Sequence, residues 1–304
     1  MEGRRRMFSD IVASRRGAAR ALRAALVAAA GAGLAGCDTL ASINPFDSAE
    51  KYEMKVVNDV PAEKIYDQGL SRMRNSDHEG AAKRFSDLSR NYPYSEWARK
   101  GLIMEAYANY EGQRWDDAIT ASRSYVSKYP NTKDAAYAQY LYAMSNFNQI
   151  PDTTRDQERA EKALAALTEL VQRYPSSEYV SDARYRIQVA RDQIAGNHME
   201  VGRYYLERRN YTAAINRFRD VVAKYQTTRH VEEALQRLTE AYMALGLTGE
   251  AQTAAAVLGH NFPDSQWYKD AYALLRSGGL EPREDSGSWI SRSFKGLKVA
   301  VVGE

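Results

Sequence analysis

From Met199 to Gln226 the chain reads MEVGRYYLERRNYTAAINRFRDVVAKYQ, and its apolar positions form two helical stripes around a short polar break. Gly202 and Tyr205 fall on the first stripe; Tyr211, Ala214, Ile215, Phe218 and Val222 recur every three or four residues on the second. Arg209 and Asn210 between them predict a turn. Neither helix can bury its stripe alone, so the pattern requires that the pair stack on other helices.

The same arrangement recurs along the chain. Tyr92-Pro93, Tyr129-Pro130, Tyr174-Pro175, Tyr225-Gln226 and Phe262-Pro263 each close an apolar helical run, and an Ala stands twelve positions before each Pro or its Gln substitute: Ala81, Ala118, Ala163, Ala214 and Ala251. A small residue suits a close helix crossing, and a Pro ends the second helix of a pair. The aromatic marks are 37, 45, 51 and 37 residues apart. The excess in the third copy falls at 148–158, NQIPDTTRDQE, between that copy's two helices. The excess before the fourth predicts a lengthened helix from Ser177 to Ile194, ending at Gly196-Asn197.

This pattern resembles the tetratricopeptide repeat, a 34-residue helix pair with small residues at the crossings and a terminal Pro. The fold expected is all-α, a right-handed superhelical α-solenoid of about five tetratricopeptide-like pairs over residues 62–276, with copies ending near 93, 130, 175, 226 and 263. Residues 277–304 open with Ser277-Gly278-Gly279 and are expected to form a flexible tail, closed by the apolar run Val299 to Val302.

Composition changes the picture mainly at the N-terminus. The first 36 residues hold seven Arg against Glu2 and Asp10, and without them the 42 basic and 39 acidic side chains of the whole become 35 and 37. The basic balance therefore belongs to the leader, which argues against a nucleic-acid partner. Ala24 to Leu34 is an apolar run too short to span a bilayer, as expected for a signal peptide over 1–36. It ends in Leu34-Ala35-Gly36-Cys37, which resembles the bacterial lipobox and places cleavage between Gly36 and Cys37, with lipidation at Cys37, the only cysteine. Residues 37–61 then read as a lipidated tether. Asp38 is similar to an inner-membrane retention signal, which leaves the inner membrane open as a destination beside the outer.

Candidate chemistry is sparse. The four His fall in different repeats at or near predicted turns or helix ends without metal-ligand spacing, and no phosphate-binding, dinucleotide or nucleophile motif occurs, so no catalytic residue, cofactor or metal is expected. Asp116-Asp117 and Glu232-Glu233 sit where helices start and complement the helix dipole. Surface remains. Tyr66, Met73, Tyr107, Tyr110 and Tyr140 are candidates for a groove that holds an extended or β-prone peptide, and Arg203, Arg209 and Arg217 for a charged docking surface.

Taken together, LAGC at 34–37, GLSRMRNSDHEGAAKRFSDLSRNYPYSEWA at 69–98, the inserted PDTTRD at 151–156 and VGRYYLERRNYTAAINRF at 201–218 resemble the BamD (ComL/YfiO) lipoproteins of the outer-membrane β-barrel assembly machinery. The resemblance implies a non-enzymatic, lipid-anchored scaffold on the periplasmic face of the outer membrane. It implies that unfolded outer-membrane proteins are recognised by the N-terminal repeats, with a BamA-like barrel-forming subunit and other assembly lipoproteins as partners. Arg217 matches the family position associated with docking to that subunit. The alternative reading is a tetratricopeptide lipoprotein serving cell-wall or division proteins at the inner membrane.

Overall fold

The computed structural model describes residues 60–295. The expected signal peptide, Gly36, Cys37 and nearly all of the expected tether lie outside them, as does the run Val299 to Val302.

Twelve helices account for the described residues: α1 (Ala62–Arg74), α2 (His78–Asn91), α3 (Glu96–Glu111), α4 (Trp115–Lys128), α5 (Ala135–Phe147), α6 (Glu158–Arg173), α7 (Val180–Glu207), α8 (Tyr211–Lys224), α9 (Val231–Ala244), α10 (Thr248–Asn261), α11 (Gln266–Ser277) and α12 (Trp289–Phe294). From α1 to α10 each packs chiefly on its neighbours in sequence, giving the five expected pairs from α1/α2 to α9/α10. First helices also meet directly, α1 with α3, α3 with α5 and α9 with α11, so they line one side of the stack.

The repeated residues do what their sizes require. Ala81, Ala118, Ala163, Ala214 and Ala251 are all fully buried. Tyr92, Tyr129, Tyr174, Tyr225 and Phe262 each cap the C-terminus of a second helix. The Tyr174 hydroxyl also donates to the carbonyl of Pro130 at 3.0 Å, joining one repeat's mark to the next. Gly69 and Gly202 let α1 and α7 close onto Phe85 and Phe218; a Cβ at Gly69 would lie 2.5 Å from the Phe85 ring, and one at Gly202 would press on Phe218 in the same way.

Four of the five pairs turn identically. Ser76, Gln113, Arg209 and Gly246 occupy the left-handed region, with φ of 58, 55, 58 and 74°. The next residue's N–H reaches back five positions in each case, as from Asn210 to the Tyr205 carbonyl at 2.9 Å. These bonds satisfy carbonyls that the helix end leaves open.

The third pair replaces this turn with residues 148–157, which lie against α7. Gln193 Nε2 donates to the Pro151 carbonyl at 2.7 Å, and Asn197 Nδ2 donates to the carbonyls of Thr153 at 2.7 Å and Arg155 at 3.2 Å. This corrects the expected helix end at Gly196-Asn197. The helix runs unbroken for 28 residues. Gly196 is buried within it because a Cβ there would lie 3.0 Å from Thr153 Cγ2, so the residue serves approach of the loop rather than termination.

The expected flexible tail also needs correction over its described part. Ser277 closes α11, and the chain then runs along α10, where Gln252 Nε2 donates to the Glu281 carbonyl at 2.7 Å and the Arg283 N–H to the Gln252 carbonyl at 3.3 Å. Ser288 caps α12, which inserts Ile290 and Phe294 into the core formed by α8, α9 and α10. Burial of two large apolar side chains outweighs the ordering of a short polar connection.

Candidate functional site

Among the described residues no group of His, Cys, Asp or Glu could hold a metal ion, and none of the helices is long and apolar enough to cross a membrane. Two surfaces gather the candidate residues.

The first is a series of aromatic rings carried by first helices. Tyr66 on α1 lies 5.5 Å from Phe85 and 5.4 Å from Trp97 on α3. Farther along, Tyr107 on α3 lies 6.4 Å from Tyr137 on α5, Tyr137 lies 5.4 Å from Tyr179, and Tyr179 stacks on Tyr140 at 4.9 Å. All of these tyrosines are half-buried, leaving part of each ring to a ligand. The Tyr140 hydroxyl donates to Asp182 Oδ2 at 2.7 Å, and burial together with that carboxylate pushes its pKa up to about 12. Burial, followed by the neighbouring Tyr107 and Tyr179, raises Tyr137 as well. These phenols stay neutral and can donate hydrogen bonds across the physiological range.

Beside the rings opens a cleft of about 590 Å³ lined by Lys133, Asp134, Tyr137, Arg173, Glu178 and Tyr179, among others. It offers stacking faces and both signs of charge.

Two of the expected groove residues have other tasks. Met73 packs into the core under α1 and α2. Tyr110 packs edge-on against Trp115 at 5.4 Å, and its hydroxyl accepts from Asn148 Nδ2 at 3.1 Å, which holds the start of the inserted loop. Conversely, Trp97 and Tyr179 were not anticipated. Both stand five positions after a Tyr-Pro mark, in Tyr-Pro-Tyr-Ser-Glu-Trp and Tyr-Pro-Ser-Ser-Glu-Tyr, a slot that the repeat frame could have exposed.

The second surface is the basic one on the fourth pair. Arg203 is engaged inside the chain: its Nη1 contacts both Glu233 oxygens at 3.0 and 2.9 Å, and its Nη2 contacts Glu200 at 2.6 Å, tying α7 to α9. This corrects its reading as a docking residue, because the charge already has two carboxylate partners. Arg208 lies over the Tyr204 ring at 3.6 Å and Arg219 over Trp289 at 5.1 Å. Arg209 is exposed at the left-handed turn position, and Arg217 is half-buried on α8; neither makes an ion pair among the described residues.

Near Arg217 lies His198, half-buried in the middle of α7 rather than at a helix end as expected. Its Nδ1 is 3.8 Å from Asp220 and has no hydrogen-bond partner. Burial lowers its pKa, Asp220 opposes that, and Arg217 and Lys224 reinforce it.

A family model described as YfiO, outer membrane lipoprotein, matches residues 58–258. The outer membrane protein assembly factor BamD of Caulobacter vibrioides is 44% identical over 86% of this chain and 82% of its own length. The proteins of the same name from Rickettsia prowazekii and Neisseria meningitidis serogroup A are 35% and 32% identical, over 72% and 81% of this chain and 88% and 94% of theirs. With the outer membrane in the family's description, the inner-membrane destination suggested by Asp38 gives way. Built from stacked helix pairs and matched through four of its five repeats and into the fifth, the chain belongs to the YfiO family of outer membrane lipoproteins.

Proposed function

We propose that the protein is a non-enzymatic scaffold for the assembly of outer-membrane β-barrels, in which the first three repeats receive unfolded segments of the barrel protein and the fourth docks the barrel-forming, BamA-like subunit. The observation that carries the first half is the line of half-buried rings from Tyr107 through Tyr137 and Tyr179 to Tyr140, beside a cleft with both signs of charge. An unfolded barrel segment alternates apolar and polar side chains. Rings can stack on the first, while the neutral phenols and the cleft's charged groups meet the second and the open backbone.

Support for the second half is the contrast within the arginine cluster. Arg203, Arg208 and Arg219 have partners in the chain, whereas Arg217 and Arg209 are left to meet carboxylates of another protein. Lipidation at Cys37 would hold the scaffold beside the membrane in which the barrel forms.

Two variants separate the halves. A tagged Arg217→Glu chain should lose copurification of the barrel-forming subunit while still crosslinking to unfolded barrel protein. A Tyr137→Ala, Tyr140→Ala chain should do the reverse. Normal copurification with Arg217→Glu would remove the docking assignment, and undiminished crosslinking of the double variant would remove the groove.

A further inference from the structure

A third surface lies on the second-helix side of the stack, and near its end the chain shows how a groove there is filled. Helix α12 packs on α8 and α10, and it reaches α9 through Trp289, whose Nε1 donates to the Tyr242 hydroxyl at 3.2 Å. Arg219 lies over the Trp289 ring at 5.1 Å, Gln226 Nε2 donates to the Ser293 carbonyl at 3.0 Å, and Ile290 and Phe294 enter the core. Two repeats earlier runs the equivalent groove. It lies between α4 and α6 with α5 as its floor, measures about 380 Å³, and is lined by Arg123, Ser127, Gln139, Tyr142, Glu169 and Arg173, among others.

The two grooves share their anchor. Counted from the crossing alanines Ala118 and Ala214, Arg123 and Arg219 stand at the same position, five residues on. The other three second helices carry Ser86, Thr168 and Ala256 there. Arg123 is exposed, lies over the Tyr142 ring at 5.7 Å, and makes no ion pair among the described residues. The groove's carboxylate is engaged elsewhere: Glu169 pairs with Arg173 at 2.7 Å and accepts from Gln139 Nε2 at 3.2 Å. A guanidinium can stack its face on an aromatic ring while its edge still donates to a carboxylate.

Polarity separates the two grooves and defines the occupant. Leu235, Leu238 and Val257 belong to the core that Ile290 and Phe294 join, whereas the equivalent positions of the earlier groove hold Gln139, Tyr142 and Glu169. An apolar floor suits a segment that never leaves; a floor that meets water between encounters stays polar, as in interfaces that exchange. Arg123 and Arg173 outnumber Glu169 in the lining, which favours an acidic partner. We infer that the groove between α4 and α6 docks a short amphipathic helix of a partner protein, seated as α12 is, with an aromatic residue on the face of Arg123 and a carboxylate at its edge.

The probe is the α12 segment as a free peptide, residues 286–295, with Arg292→Glu and Lys295→Glu to supply carboxylates. Its controls are the unaltered peptide and the acidic peptide with Trp289→Ala. Titrated into the full-length chain and followed by NMR, the acidic peptide should give saturable shifts at the Arg123 Nε–H, the Ser127 N–H and the Gln139 side-chain amide, a readout that needs no variant. It should bind about tenfold more tightly than either control, the scale of one desolvated cation–ring contact. Arg123→Ala, at an exposed position, should melt with the parent and bind the acidic peptide about tenfold more weakly. The inference is overturned by absence of saturable shifts at Arg123 and Ser127, by shifts confined to the groove between α8 and α10, by equal binding of either control peptide, or by undiminished binding to Arg123→Ala. A concentration-dependent dimer that Arg123→Ala dissolves would overturn it in favour of a second copy of this chain.

Discussion

Alanine at position 202 separates local propensity from packing within a single methyl group. Gly202 sits inside α7, where replacing Gly by Ala in an open helix position is favourable by about 1 kcal/mol. The new Cβ, however, would lie 2.8 Å from Cδ1 and Cζ of Phe218 and closer still to Cε1, against the roughly 3.5–4.0 Å at which carbon atoms rest. Phe218 is fully buried among Met199, Ala214, Val222 and Leu238, so its ring has nowhere to retreat. Overpacking of this kind costs about 1–3 kcal/mol. Packing should win, and Gly202→Ala should lose up to about 2 kcal/mol net, a fall in Tm of as much as roughly 8 °C for a domain of this size.

The contrasting substitution is Gly249→Ala, in the first turn of α10 with open space around it, which should melt at or above the parent. A double-mutant cycle completes the assay. In a Phe218→Leu background the smaller side chain vacates the contact, and Gly202→Ala should become neutral or stabilising, giving a coupling of about 1–3 kcal/mol. Thermal melts followed by circular dichroism measure all four corners. If Gly202→Ala raised the Tm of the parent, or if its effects added without coupling to Phe218→Leu, the close crossing of α7 and α8 could not be what selects glycine here.

Three further outcomes follow from the same structure. Arg209→Gly should stabilise the fold by about 1 kcal/mol, because a non-glycine residue in the left-handed region carries strain; a lower Tm would mean that the arginine side chain contributes more than its backbone costs. Ile290→Ala removes a fully buried side chain, and a loss of about 2–5 kcal/mol is the expectation for a docked α12; hydrogen exchange unchanged over 283–294 would contradict that docking. Burial depresses the pKa of both His198 and His230, so the unfolded chain takes up protons near pH 6.5 before the native one does, and the stability present above that pH is lost as pH falls through the depressed native values. Tm should therefore drop between pH 7.5 and pH 5, and a steeper drop in His198→Asn than in the parent would refute the assignment.

The sequence revealed those parts of the fold where one residue type has one use. The buried alanines and terminal aromatics recur at fixed offsets because a helix crossing admits only a small side chain and a cap admits only a residue that stops the helix. The inserted loop was visible as a change in spacing. Gly196-Asn197 misled because glycine and asparagine suit a helix end, while here Gly196 makes room for Thr153, which is 43 residues away in the chain. Residues 277–295 misled because Leu280, Trp289, Ile290 and Phe294 are too scattered to show a period, although together they close the end of the core.

At the sites the limit was partner identity. Charge alone made Arg203 and Arg217 equivalent, and only the position of Glu233, on a helix one repeat later, separates them. Likewise a tyrosine count could not distinguish Tyr140, stacked on Tyr179, from Tyr110, which braces a loop.

The unbroken α7 has a mechanical consequence. Its 28 residues measure about 42 Å. Its first half, with Val180 and Ala183, packs on α6, and its second, with Met199 and Gly202, on α8. The inserted loop grips it near mid-length through Gln193 and Asn197. It thus works as a shaft with a bearing at its middle. A pull on α8 arrives at the Tyr179 end as tilt of one rod, carried by peptide hydrogen bonds in series, whereas a hinge between the third and fourth repeats would have absorbed it.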